Sequence, residues 1–199
     1  DIGCGSGLML SSLEQIGETS GMDMSDEAIG FSKEIFGGIV KKGFLPDNVP
    51  YDNEHFSLVT ALDVIEHVED DRAALKAIRA QIAPGGQAII TVPACMFLWS
   101  EHDILNEHQR RYTRSELREK LIEAGFTIEK ISYFNTLLFP AISLVRVINN
   151  MLKLKGGSDV DLPSPSVNYI LEKIFSAEEF LLRYMNFPIG VSVIAVVRK

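Results

Sequence analysis

Three alternating glycines at the start of the chain most constrain what this sequence can fold into. The first residues are Asp1-Ile2-Gly3-Cys4-Gly5-Ser6-Gly7, and helix-forming residues follow from Leu8 to Leu13. Glycine accepts positive φ and lets ligand atoms approach the backbone. The loop therefore predicts a strand-to-helix turn at a nucleotide site, although a plain tight turn would explain a glycine triplet taken alone. Its G-x-G-x-G spacing differs from the G-x-G-x-x-G dinucleotide fingerprint, and the lysine of a phosphate-binding P-loop is missing.

Later segments continue the pattern of a nucleotide-binding α/β domain. Asp23 ends a short strand 16 residues after Gly7, where such units place the acid that accepts ribose hydroxyls. Ser25 is the better candidate to cap the next helix, which leaves Asp23 for the ribose. The buried strand 56–62 runs into Asp63-Val64-Ile65-Glu66-His67-Val68, and Ala83-Pro84-Gly85-Gly86 precedes the apolar strand 87–93.

Together these segments resemble the motifs of class I S-adenosylmethionine (SAM)-dependent methyltransferases, and Glu66-His67-Val68 is similar to the ubiquinone-biosynthesis type. The resemblance covers residues 1–134 and the final strand, 190–199. It implies an α/β fold with a Rossmann-like seven-stranded methyltransferase sheet, helices on both faces and an antiparallel last strand. Because the chain begins directly at the glycine loop, we expect the first strand to be truncated.

The resemblance also implies SAM as the cofactor. Asp1 and the glycine loop would hold the methionine portion, Asp23 the ribose, and Leu62-Asp63 the region near the adenine and the methyl group. Many relatives have an aspartate beside the adenine where this chain has Gly43-Phe44, so adenine recognition stays open. The residues expected to bind the cofactor are Asp1, Gly3, Cys4, Gly5, Gly7, Asp23, Met24, Leu62, Asp63 and His67.

The segment after strand 87–93 is expected to recognise the acceptor. It is loop-like and contains the chain's single Trp, two of its four His and a double Arg, and function favours such loops. Residues Trp99, Arg110, Arg111 and Tyr112 are predicted to form an active-site lid, and the arginines are expected to bind an anionic group. The alternative is a solvated loop. Similar segments occur in relatives associated with cell-surface or lipid-linked sugars.

A histidine could act as general base if the acceptor is a hydroxyl. The candidates are His67, His102 and His108, and the sequence does not rank them. No metal site is expected, because Cys4 and Cys95 lack metal-ligand spacing.

Residues 135–189 form an insertion between the last two strands of the methyltransferase core (1–134 and 190–199). Two amphipathic helices are predicted there, the first with Leu144 and Ile148 on its apolar face and the second with Val167, Ile170, Leu171, Ile174 and Leu181 inward. They are expected to cap the active site, and a dimer face or core extension is the alternative. Lys153 and Lys155 are too few for strong attraction to anionic lipid, so any membrane contact would be transient.

Composition narrows the partners of the chain. The net charge of −8 argues against a nucleic-acid binder. Two distant cysteines fit a reducing cytoplasm, and the sequence contains no uninterrupted apolar run of membrane-spanning length. The predicted function is methyl transfer from SAM to a small-molecule, lipid-like or lipid/sugar-linked acceptor. The alternatives are a non-catalytic SAM-binding partner protein and an NAD-dependent oxidoreductase. A homodimer is compatible with each of these functions.

Overall fold

The computed structural model describes residues 1–51, 55–152 and 164–199. The strands formed by these residues are β1 (Ser20–Asp23), β2 (Ile39–Lys42), β3 (Phe56–Leu62), β4 (Ile82–Pro93), β5 (Thr127–Phe134) and β6 (Ser192–Arg198). The helices are α1 (Leu8–Leu13), α2 (Asp26–Ile35), α3 (Asp71–Gln81), α4 (Glu101–Leu105), α5 (Arg114–Glu123), α6 (Phe139–Leu152) and α7 (Pro165–Tyr184).

The strands form two sheets, one with the order β1-β2 and one with the order β3-β4-β6-β5. Pairs β1–β2 and β3–β4 are parallel, whereas β6 is antiparallel to both β4 and β5. Ile2 joins the sheets through parallel bridges to Met22 and Ala61. The fold is therefore α/β with a mixed sheet and the expected antiparallel last strand. The described residues form six strands in sheets of two and four, instead of the predicted seven-stranded sheet.

Helices α3 and α5 cover the sheet with apolar faces that the sequence predicts. Leu75, Ile78, Leu117 and Leu121 are fully buried because their spacing places them on one side of each helix. Side-chain capping starts the helices at the expected residues. Ser25 accepts from the Ala28 N–H at the start of α2, and Thr113 forms a capping box with Glu116 at the start of α5.

The insertion is anchored by hydrogen bonds at the start of α6. The carboxylate of Glu178, on α7, accepts from the backbone N–H groups of Thr136 and Leu137 at 2.8 and 3.0 Å. Arg146 of α6 donates to the carbonyl of Leu98, and the Phe97 and Phe139 rings meet edge-on. Helix α6 therefore packs against the short 3-10 turn Met96–Leu98 that follows β4.

Much of the apolar surface of the inserted helices faces outward. Leu144 is 62% and Met151 78% exposed. On α7, Leu171 and Ile174 are half-buried as predicted, but Val167, Ile170 and Leu181 are exposed. The inward prediction for those three residues is wrong, because α7 turns Glu178 toward the domain instead. Lys153 and Lys155, for which only weak attraction to anionic lipid was expected, lie outside the described residues.

Within the described residues, the helices lack the combination of length and apolar character needed to span a bilayer.

Candidate active site

A cleft of about 1200 Å³ opens at the carboxyl ends of β1, β2 and β3. This edge is where open α/β sheets bind their ligands. The lining comes from the ends of these strands, the turn after β3, the first turn of α3 and the segment after β4. The residues concerned are Ile2, Gly3, Met22–Met24, Gly43–Asp47, Asp63, Val64, His67–Ala73, Glu107 and Gln109.

The glycine loop forms one wall of the cleft. Gly3 has φ 69°, and a Cβ built there would lie 2.6 Å from Cγ2 of Val64. Any side chain at this position would therefore collide with the turn after β3, besides straining the backbone. Gly5 also has positive φ, and its N–H donates to Oδ2 of Asp23 at 2.9 Å. The loop and the end of β1 are thus fastened to each other.

Asp23 presents its carboxylate at the end of β1, as the sequence predicts. Its Oδ1 accepts from the Ser25 N–H at 2.9 Å, while the residue lines the cleft. A carboxylate has about four acceptor positions, so these two backbone bonds orient Asp23 and leave further capacity for ligand hydroxyls.

Asp63 makes the sharp turn from β3 into the site. Its φ is 54°, and its N–H donates both to the carbonyl and to the hydroxyl of Thr91. Desolvation in the cleft raises the pKa of Asp63, although a side-chain hydrogen bond from Thr91 and the nearby charges of His108, His67 and Arg111 oppose this. The left-handed backbone is a strained feature of the kind that functional sites retain.

His67 lies on the cleft wall at the end of the 3-10 turn Ile65–His67. Desolvation lowers its pKa and the adjacent His108 lowers it further, whereas a hydrogen bond to the backbone carbonyl of Glu107 raises it. The ring is therefore neutral at physiological pH. Because one ring nitrogen donates to Glu107, the other carries the lone pair.

Glu66 points into the protein beside this ring. It is fully buried, and neither carboxyl oxygen has a hydrogen-bond partner among the described residues. Burial, reinforced by Asp63, raises the pKa of Glu66 from 4.5 to about 8. The closest ring nitrogen with an ion-pair geometry is Nε2 of His108, 4.0 Å from Oε1.

The segment after β4 (residues 94–113, hereafter the post-β4 segment) leaves the sheet and returns to it. Cys95 N–H donates to the Tyr112 carbonyl, and Tyr112 N–H donates to the Pro93 carbonyl. Inside this loop, Arg111 makes a buried two-point ion pair with Asp103 and donates to the Ala94 carbonyl. The guanidinium is thereby committed to the protein.

The end of the post-β4 segment is fastened to the turn after β3. Gln109 donates its backbone N–H to the Glu66 carbonyl at 3.0 Å and its side-chain amide to the His67 carbonyl at 2.8 Å. Arg110 donates to the Glu69 carbonyl and pairs with Asp71 at 3.0 Å. The two segments that carry the histidines are thus one hydrogen-bonded unit.

The predicted cofactor-binding residues fall into two groups. Gly3, Asp23, Met24, Asp63 and His67 line the cleft. Among the described residues, the lining does not include Asp1, Cys4, Gly5, Gly7 and Leu62, which lie around the loop and strand behind it. The carboxylate of Asp1 accepts from the Thr60 hydroxyl at 2.6 Å, and Cys4 is buried.

The predicted acceptor residues do not line the cleft in the described part of the chain. Arg111 and Tyr112 are buried, and Trp99 is half-buried. His102 lies on α4, where Nε2 is 3.0 Å from the Asn106 amide, and His108 is behind His67 with ring centroids 4.7 Å apart. Of the three candidate bases, the structure places only His67 on the cleft wall among the described residues.

The sequence does not predict the roles of three residues that the structure places at or near the site. The sequence marks Glu66 only as part of a motif and assigns no role to Asp103 or Gln109. A polar residue at the position of Asp103 gives no local signal, because its partners are five and eight residues away in a loop. Gln109 next to two arginines is equally unremarkable in sequence.

The cluster of Glu66, His67 and His108, hereafter the histidine corner, also has the geometry of a cation site. Glu66, His67 and His108 each offer an atom, and these atoms all lie within 4.8 Å of one another. Carboxylate and imidazole are common ligands of divalent metals. The corner can therefore be tested for a metal as well as for proton transfer.

Comparisons with known proteins agree with this architecture. The profile of a family described as "methyltransferase domain" matches residues 1–131. The ubiquinone biosynthesis O-methyltransferase of Aeromonas salmonicida is 28% identical over 193 residues, covering 87% of this chain and 74% of the relative. The protein of the same name from Pseudomonas entomophila is 28% identical over 100 residues, covering 46% of this chain and 42% of the relative. The match to that relative therefore spans less than half of its length.

A solved structure supports the fold. The S-adenosylmethionine-dependent methyltransferase of Mesorhizobium loti superimposes with a TM-score of 0.63 at 16% identity, covering 100% of this chain and 89% of the other.

The fold and the cleft define an α/β domain of the methyltransferase class, with the fold of a solved structure named an S-adenosylmethionine-dependent methyltransferase. This chain belongs to the methyltransferase domain family. The cleft is compatible with SAM, because the Asp23 carboxylate and the backbone of Gly3 both line it.

Proposed function

We propose that the chain transfers a methyl group from SAM to a hydroxyl oxygen of a small-molecule acceptor. The observation that carries the proposal is the neutral imidazole of His67 on the cleft wall. The kinship with proteins named O-methyltransferases supports oxygen as the methylated atom.

Residues at the strand ends would hold the cofactor. Asp23 would accept the ribose hydroxyls, the backbone at Gly3 would approach the methionine portion, and Met24 and Asp63 would border the remainder. When bound, SAM supplies an electrophilic methyl group on a sulfonium. The protein has to align the acceptor oxygen and exclude water.

His67 would accept the proton of the acceptor hydroxyl. Its lowered pKa keeps the ring unprotonated near neutral pH, and the Glu107 carbonyl fixes which nitrogen holds the lone pair. General-base catalysis of this kind typically contributes about 10²- to 10⁴-fold to the rate.

A divalent cation is a second device that would serve the same reaction. Held by Glu66, His67 and His108, it would lower the pKa of a bound hydroxyl by its charge. In that case removal of metal would abolish turnover, whereas the general-base mechanism is insensitive to chelation.

The acceptor is proposed to be lipid-like or lipid/sugar-linked. Supporting this is the exposed apolar surface of α6, which leans on the post-β4 segment through Phe97 and Phe139. The same surface would allow transient contact with a membrane or a second copy of the chain. We place the protein in the cytoplasm, in line with its two free cysteines.

The test compares His67→Gln with His55→Gln, since His55 lies outside the lining of the cleft in the described residues. Each protein is supplied with SAM and with catechol or a prenylated phenol, before and after dialysis against a chelator. We expect His67→Gln to lower kcat by about 10²-fold or more and His55→Gln to leave it unchanged, with unaltered SAM affinity by calorimetry. Full turnover by His67→Gln would overturn the general-base role.

The same calorimetry separates the alternatives. Binding of NAD in preference to SAM would favour an oxidoreductase. Tight SAM binding, no methylation of either acceptor and a stoichiometric complex with another protein would favour the non-catalytic partner.

A further inference from the structure

The carboxylate of Asp103 is the centre of the hydrogen bonds inside the post-β4 segment. The residue is fully buried. Arg111 donates Nε to Oδ1 at 2.8 Å and a terminal nitrogen to Oδ2 at 3.0 Å, and the Ser100 N–H donates to Oδ2 at 2.9 Å. One position of Oδ1 remains, and Nδ1 of His108 occupies it at 2.9 Å.

These bonds determine the tautomer of His108. An ionised carboxylate can only accept, and the buried two-point ion pair with Arg111 holds Asp103 in its ionised form. Nδ1 of His108 must therefore carry the hydrogen. Nε2 then faces Glu66, with 4.0 Å to Oε1.

His108 in turn contacts the ring of His67. The two rings meet edge-on with centroids 4.7 Å apart and planes at 82°. On its other side, His67 donates to the Glu107 carbonyl, the residue next to His108 in the chain. The orientation of His67 in the cleft thus depends on where His108 is held.

We propose that Asp103 is a positioning residue. It fixes the tautomer and ring plane of His108, and His108 in turn holds the ring of His67 in the cleft. The proposal rests on the proposed function only in assigning His67 a part in catalysis. Asp103 itself touches neither cofactor nor acceptor.

A purely structural ion pair would not require this arrangement. Arg111 already donates to both carboxylate oxygens and would hold the loop closed without His108. The additional bond to Nδ1 orients a ring whose opposite nitrogen faces a buried carboxyl that is without a hydrogen-bond partner in the described part of the chain. Such a second layer of hydrogen bonds is how proteins fix the ring orientation of functional histidines.

The direct test is ¹⁵N NMR of the histidine rings in the whole protein, without acceptor, at a pH where the rings are neutral. The His108 signals are assigned by their loss in His108→Gln. We expect protonated Nδ1 and unprotonated Nε2 in the wild type. In Asp103→Asn, whose amide can also donate, we expect the opposite tautomer or a mixture, while the His55 signals stay unchanged.

Several outcomes would overturn the proposal. Protonated Nε2 in the wild type would do so even if Asp103→Asn failed to fold, because the wild-type measurement stands alone. A folded Asp103→Asn with unchanged His108 and His67 signals would also contradict it.

Kinetics then separate this inference from the proposed function. We expect folded Asp103→Asn to lower kcat on the order of a hundredfold, the effect of a slight misplacement of a reacting group, with unchanged SAM affinity. A changed tautomer with unchanged kcat would refute the catalytic part and spare the hydrogen-bond assignment. If wild type methylates neither catechol nor prenylated phenol, the proposed function fails on those acceptors while the tautomer measurement still decides the role of Asp103.

Discussion

The hydroxyl of Tyr112 donates to Oδ2 of Asp71 at 2.9 Å, although 41 residues separate them. The same carboxylate accepts from Lys120 and pairs with Arg110. Burial alone would raise the pKa of Asp71, but the hydrogen bonds from Lys120, Tyr112 and Arg110 outweigh it and lower the pKa. The returning end of the post-β4 segment is thereby tied to the first turn of α3 and to α5.

Replacing Tyr112 with Phe tests this tie. The fully buried hydroxyl is lost, but Asp71 keeps its two cations, so we expect the free energy of unfolding to fall by about 1.5–3 kcal/mol, as for a hydrogen bond to a charged group. Urea unfolding measures it. Tyr184→Phe, at a residue 77% exposed, is the control and should change little; equal effects in the two variants would contradict the tie.

The buried carboxyl of Glu66 predicts an unusual pH dependence of stability. Its pKa rises from 4.5 in the unfolded chain to about 8 in the fold, so the folded state binds the proton more tightly. The resulting stabilisation is complete below pH 4.5 and is lost as the pH rises toward 8, by about 1.4 kcal/mol per pH unit. Glu66→Gln has no such proton. The stability of the wild type relative to this variant should therefore fall with pH between these values, and a flat difference in urea unfolding would contradict the raised pKa.

Asp23 is expected to govern cofactor affinity. Asp23→Ala removes an acceptor of the ribose hydroxyls, which is worth about 1.5–3 kcal/mol, so SAM binding should weaken about ten- to a hundredfold. Calorimetry measures this directly. Asp26→Ala is the matched control, because Asp26 pairs with Lys42 on the surface. The ribose assignment fails if the two variants bind SAM equally well.

Arg111 is expected to act on stability in addition to any effect on the acceptor. Arg111→Ala leaves Asp103 as a buried charge without its cation, a loss of about 3–5 kcal/mol. Arg183→Ala, which breaks an exposed pair with Glu179, should cost about 0.5 kcal/mol or less. Thermal and urea unfolding compare them. A stable Arg111→Ala with a raised acceptor KM would instead support the anion-binding role predicted from the sequence.

The exposed face of α6 predicts selectivity for long acceptors. Leu144 and Ile148 are 62% and 41% exposed, so changing both to Ser should leave the circular dichroism spectrum unchanged. If the face holds an acceptor tail, KM should rise about tenfold or more for a prenylated phenol and stay constant for catechol. Ile16→Ser is the control, because Ile16 is an exposed apolar residue near the start of the chain and outside α6. Equal losses on both acceptors would exclude the tail-binding role.

Local chemistry explains what could be predicted from the sequence. Positive φ at Gly3 and Gly5, the cap at Ser25 and the box at Thr113 each depend on a few adjacent residues. Asp23 could be placed because parallel strands end at one edge of a sheet.

The other contacts of the site could not be predicted, because their hydrogen-bond and ion-pair partners are far apart in the chain. Nothing near Arg110 reveals that Asp71 will meet it, and nothing near Gln109 reveals the carbonyl of His67. The outward apolar face of α7 was missed for a related reason. Periodicity finds the apolar stripe, but α7 turns Glu178 inward, where its carboxylate accepts from the backbone N–H groups of Thr136 and Leu137 just before α6.

The position of β6 between β4 and β5 has a consequence for synthesis on the ribosome. Strands β4 and β5 both pair with β6, which follows them in the chain only after the insertion has been made. Until β6 has been synthesised, the edges of β4 and β5 that pair with it expose backbone N–H and C=O groups that lack their strand partner. Such non-local pairing slows folding and exposes edges to aggregation. A nascent chain halted before residue 192 should therefore be a stronger chaperone client than the finished domain.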